Sequence, residues 1–152
     1  MLRRTHLALG LAVALYFVPY IKTNRLIFFA VVILASMIPD LESGFSAPKR
    51  HRLLSLQPTS FIFHRNLIFH SYTLLIPVVI VITFLYPPLA FPVFLGYSFH
   101  LFLDSFSPRG IRPFWPLKSC AKGNIQPGGR IDKILFYVFL IFDFGLFVKL
   151  FI

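Results

Sequence analysis

The stretch "GYSFHLFLDSF", residues 96–106, sets a histidine and a carboxylate four residues apart in an otherwise apolar run. On a helix, positions four apart are about 400° round and stack on one face. His100 and Asp104 would then aim an imidazole and a carboxylate at one point. That donor pair suits a divalent transition ion, zinc first, with manganese or another such ion as the alternative. The same pair could instead tie two helices together through a buried hydrogen bond. Spacing alone leaves both readings open.

The other residues able to join them are few. The chain has five histidines, His6, His51, His64, His70 and His100, and five acids, Asp40, Glu42, Asp104, Asp132 and Asp143. "MIPDLES" holds Asp40 and Glu42, two carboxylates two apart, which can supply one ligand and one general base. "FHRNLIFHSY" holds His64, Arg65 and His70. The two histidines are about 240° apart on a continuous helix, so both bind only if the helix begins between them, near Asn66. His51, in the charge run "PKRHRLL", reads as a solvated contact to headgroups. Asp143, midway along an apolar run, is assigned to helix packing, although an acid there is a functional hypothesis by default.

These residues have to be positioned by a chain that is 57% hydrophobic and only 13% charged, with 20 Phe in 152 residues. That leaves too little polar surface to coat a soluble globule. The expected fold class is all-α, a polytopic membrane protein of about four to five membrane-embedded helices in a single domain. The apolar segments are 5–20, 26–39, 67–86, 89–106 and 133–152. The first two are short against the ~20 residues of a spanning helix. "YPPLAFP" reads as a tight turn between the third and fourth. The Pro- and Gly-rich loop 107–132 reads as irregular structure. One cysteine, Cys120, excludes an intrachain disulfide.

The net charge of +10 is that of a nucleic-acid binder or of basic loops beside anionic lipid. Its distribution favours the bilayer and not nucleic acid. With five spans, twelve Lys and Arg fall on one side and three, Lys22, Arg25 and Lys149, on the other. The positive-inside rule makes the richer side cytoplasmic, with the N-terminus inside and the C-terminus outside. On this map His6, Asp40, Glu42, His64, His70, His100 and Asp104 all reach the cytoplasmic face. Arg65, Arg109 and Arg112 lie there too, able to hold a phosphate or to contact headgroups.

Taken in order, these motifs resemble the YdjM-type inner-membrane proteins, regarded as metal-dependent hydrolases. The resemblance rests on Thr5, His6 and Gly10; on "PDLE"; on "HRNLIFHS"; and on His100, Leu101, Asp104, Ser107, Gly110, Trp115 and Pro116. Glu42 stands where the family pattern has Asp, and Ser107 where it has Thr. Asn66 and Phe69 depart from its small or hydroxylic residues. The family is distantly similar to zinc-dependent phospholipases C and zinc nucleases. The resemblance therefore implies an all-helical site for phosphoester hydrolysis. The expected ligands are His6, Asp40, His64, His70, His100 and Asp104. Glu42 is the expected general base or an extra ligand, with Asp40 next in line as base and Arg65 beside the substrate. The depth of the site favours a lipid or amphiphilic phosphoester. A non-catalytic scaffold held by metal, or a metal or proton transporter, would use the same residue types.

Overall fold

The computed structural model describes residues 1–22, 24–44 and 69–152. Five helices account for most of them: α1 (Arg3–Phe17), α2 (Arg25–Gly44), α3 (Tyr72–Leu85), α4 (Pro87–Ser105) and α5 (Arg130–Phe151). A 3-10 turn, Val18–Tyr20, ends α1. The all-helical expectation holds among the described residues. Their boundaries follow local chemistry. Asn24 starts α2, its side-chain oxygen accepting from the N–H groups of Leu26 and Ile27. Only Tyr86 separates α3 from α4, because Pro87 has no N–H to offer and suits a first helical position. The third segment was expected to be helical from residue 67, yet α3 starts at Tyr72. Ser71 is extended, and the Tyr72 N–H bonds to the Pro113 carbonyl, 2.7 Å away. Hydropathy cannot see that contact.

Packing is closest between α2 and α4. α1 lies between α2 and α5 and touches α4, and α3 packs on α4. The apolar core gathers Val13 and Ala14 of α1, Phe28 and Val32 of α2 and Leu95 of α4. The helix interfaces use small residues. A Cβ at Gly10 would sit 2.5 Å from Ser36 Oγ, and one at Gly96 would strike the Val32 carbonyl and come within 2.9 Å of the Ala35 methyl. Gly96→Ala is therefore expected to cost about 1–3 kcal/mol by overpacking. It should lower the thermal midpoint of the protein in detergent. An unchanged midpoint would mean that α2 and α4 do not approach this closely.

The exterior is apolar. Phe84 and Leu26 are 84% and 80% exposed, and Ile141 and Phe144 of α5 are also turned outward. Many large apolar residues face outward while small ones, Gly10, Ala35, Ser36 and Gly96, meet where the helices close, which matches helix packing in lipid. The expected spans are a different matter. Among the described residues, no helix is long and apolar enough to cross a membrane. α1 and α3 have only 15 and 14 residues, against the ~20 of a span. α4 carries His100 and Asp104, and α5 carries five charged residues, Arg130, Asp132, Lys133, Asp143 and Lys149.

The loop after α4 is more ordered than its Pro and Gly content suggested. Ile111 and Ala121 pair as an antiparallel bridge. The Gly123 N–H bonds to the Ser107 carbonyl and the Ile125 N–H to the Phe106 carbonyl, so the chain folds back onto the end of α4. Gly110 turns there with φ +65°, and a Cβ on it would meet the Ala121 carbonyl.

Candidate metal centre

His100 is 1% exposed and sits about a turn and a half from the end of α4. Its Nδ1 lies 2.7 Å from the Ser36 carbonyl of α2. A carbonyl only accepts, so Nδ1 carries the proton and, in the neutral ring, Nε2 keeps its lone pair. Histidines that bind metal are commonly oriented this way. α2 is prepared for the contact by Pro39. A proline has no N–H to give Ala35, and its ring pushes against that carbonyl, so the ladder is interrupted beside Ser36.

Asp104, one turn on, gathers the histidines. Its Oδ1 is 3.1 Å from His6 Nε2, and its Oδ2 is 3.4 Å from His100 Nε2 and 3.5 Å from His70 Nε2. The Met1 nitrogen donates to Oδ1 at 2.8 Å. The His6 and His100 rings stack with centroids 4.0 Å apart. Neither His6 nitrogen, nor Nε2 of His100, has an aligned hydrogen-bond partner, although all three are buried. Such orphaned nitrogens are costly unless something else takes the lone pair.

A divalent ion fits that role. With ligand distances of ~2.0–2.1 Å, a tetrahedral zinc site has edges of ~3.3 Å between donor atoms. The 3.1–3.5 Å separations around Asp104 are of this size. Two sets of donors lie within 4.8 Å of one another: His6, His100 and Asp104, and Asp40, His70 and His100. Five of the six expected ligands thus converge, from α1, α2, the turn before α3, and α4. The sixth, His64, lies outside the described residues, as do His51 and Arg65. Glu42 belongs to α2, but its side chain is outside the described set. Spacing left open whether His100 and Asp104 only tie helices together. The convergence of three further donors on them favours the ion.

The family follows from the whole chain. The model described as YdjM inner membrane protein matches residues 1–151. The chain belongs to the YdjM inner membrane protein family. No curated protein and no solved structure matches it. Membership makes this a membrane protein, in accord with its apolar exterior. The YdjM motifs quoted from the sequence now have structural meanings. Thr5 precedes His6 and donates its hydroxyl to Asp132 at 2.7 Å. The N–H groups of Gly128 and Leu2 also donate to Asp132. This ties the start of α1 to the start of α5. Burial by itself would raise the Asp132 carboxyl, but Gly128, Thr5 and Leu2 more than offset it and hold it below the usual carboxylate range. Ser107 bonds to the Asp104 carbonyl at 2.8 Å and accepts from the Gly110 N–H, fixing the chain just after the ligand. Gly10 admits Ser36.

Sequence reasoning missed several of these supports. Asp132 gave no signal beyond being an acid before the last apolar run. The Tyr97 hydroxyl donates to the Phe69 carbonyl and so steadies the residue before His70. Nothing in the pattern pointed to it. Arg3 and Arg4 were read only as topology-setting charges. In the structure they join Arg109 in lining an open cavity of about 890 Å³, together with Asp40, His70 and Asp104. Arg112, grouped with Arg109 on sequence, is not among the residues lining it. Arg3 also donates to the Asp40 carbonyl, and Arg4 lies over the Phe136 ring.

Proposed function

We propose that this YdjM-family protein is a multi-pass, metal-dependent hydrolase of the inner membrane, acting on a lipid-like phosphoester at the cytoplasmic face. One observation carries the reading. Five donor residues from four segments converge, and three of them, Asp40, His70 and Asp104, line an open cavity together with Arg3, Arg4 and Arg109. A scaffold has no use for a wide cavity over its metal, whereas a hydrolase needs an open position and room for substrate. Zinc is the ion that the His and Asp donors suit best, with manganese the alternative.

The topology fits the same picture. α1 and α5 begin at the site, tied through Thr5 and Asp132, and α2 and α4 end there with Asp40 and Asp104. Alternation of this kind, with Arg3, Arg4 and Arg109 at the site end, supports a cytoplasmic site by the positive-inside rule. His6, His70, His100 and Asp104 would hold the ion, with Asp40 completing the second group. A bound ion supplies Lewis acidity, acidifying a water toward pKa ~7 and polarising a phosphoryl oxygen. The arginines would clamp the phosphate and offset charge gathering on it. The Ser36 carbonyl keeps His100 in the tautomer that leaves Nε2 free.

The test is hydrolysis by purified protein stripped of metal and reloaded with zinc or manganese. Phospholipids and simple phosphodiesters in detergent are the substrates. Turnover is expected only with metal, and Arg109→Ala should raise KM more than it lowers kcat. Metal-loaded protein with no turnover on any phosphoester would favour a scaffold. Metal flux in liposomes would favour a transporter.

A further inference from the structure

Asp143 was assigned on sequence to helix packing. It is 4% exposed, and neither carboxyl oxygen has a hydrogen-bond partner among the described residues. A buried polar group left this way is costly unless a ligand meets it. It lines a cavity of about 700 Å³ between α1, α2 and α5 whose other walls are Leu11, Leu15, Phe29, Leu140, Phe144 and neighbours, apolar except for Arg25. A smaller cavity of about 350 Å³ adjoins it, sharing Leu15, Arg25 and Leu150 and adding Lys149, Tyr16 and Tyr20. Among the described residues, no carboxylate forms an ion pair with Arg25 or Lys149.

The paired cavities have the shape and chemistry of an amphiphile. One is oily apart from the buried acceptor Asp143 and Arg25, which both cavities share. The other carries two cations and two tyrosines, the residue types found where a head group meets the bilayer edge. We propose that they form a binding site for one phospholipid-class molecule. Arg25 and Lys149 hold its phosphate. Asp143, which lines the larger cavity together with Arg25, takes a hydrogen-bond donor, an ammonium or a hydroxyl, of a head folded back from the phosphate toward it, and the chains fill the apolar remainder of that cavity. The site lies toward the opposite end of α1 from His6 and does not depend on the metal centre.

Native mass spectrometry of the delipidated full chain provides the test. Phosphatidylethanolamine, phosphatidylglycerol and phosphatidylcholine with matched chains are titrated separately. The first two carry a donor on the head and the third does not. Retention of the donor-bearing lipids is expected to exceed that of phosphatidylcholine about tenfold, the scale of a hydrogen bond to a charged group. Preference between the first two tells whether the donor is ammonium or hydroxyl. Asp143→Leu should erase the preference without lowering the thermal midpoint, because it removes a buried polar group that has no protein partner. Arg25→Gln with Lys149→Gln should weaken all three lipids. Equal retention of phosphatidylcholine overturns the proposal. So does a preference that survives Asp143→Leu, or a dimer that excludes lipid. A midpoint that falls in Asp143→Leu returns the residue to helix packing.

Discussion

Asp104→Ala should leave the purified protein with little or no bound metal. Its two carboxylate oxygens approach His6, His70 and His100 within 3.1–3.5 Å, so its loss removes the one anion that the three imidazoles share. What remains is three imidazoles, two of which, His70 and His100, also belong to the second group with Asp40. Loss of a ligand should cost more than the 10–100-fold that removal of a supporting partner costs. Hydrolysis should fall with the metal. Metal analysis at fixed protein concentration gives the answer directly, with His51→Ala beside it as a substitution expected to leave the content unchanged. Asp104→Ala with metal content equal to the parent would return His100 and Asp104 to a structural tie between helices. A fall in metal without a fall in thermal midpoint would show that the ion is bound for chemistry rather than for folding.

Glu42→Gln should separate binding from reaction. A hydrolase needs a group to take the proton from the attacking water, and "PDLE" provides a second acid beyond Asp40. The amide keeps the size of the side chain and removes its basicity. Metal content should stay close to that of the parent, while kcat drops by ~10²–10⁴, the range of general acid–base groups. Loss of metal in Glu42→Gln would make the residue a ligand instead. Full activity would pass the proton-handling role to Asp40, whose replacement by Asn should then lower kcat and metal together.

The second of these rests on sequence and the first on structure, and the contrast is general to the molecule. Composition and charge were enough to give an all-helical chain with an apolar exterior. Hydrophobic length and Pro-Gly punctuation are local, and they fix helices without any knowledge of their neighbours. The spacing of His100 and Asp104 was legible for the same reason: four residues on a helix is a geometry that the sequence carries by itself. The convergence of His6, Asp40 and His70 was expected from alternating the direction of successive segments, which puts the start of α1 and the ends of α2 and α4 together; the Lys and Arg count only assigned that end to a side.

Tertiary structure alone decided the rest. The start of α3 moved to Tyr72 because the Pro113 carbonyl, forty-one residues on, takes its N–H. That leaves His70 in a turn, free of the helical phase that sequence reasoning imposed on it. The tautomer of His100 depends on the Ser36 carbonyl, sixty-four residues away, and a backbone acceptor has no sequence signature. Asp132 became a clasp on Thr5 only once α1 and α5 ran side by side. Asp143 is left without a hydrogen-bond partner among the described residues because the cavity it lines is apolar except for Arg25, which does not pair with it. A sequence states which groups a chain possesses. Which of them find partners is a property of the distances between helices, and those are set by Gly10, Gly96 and the small residues that let the helices close.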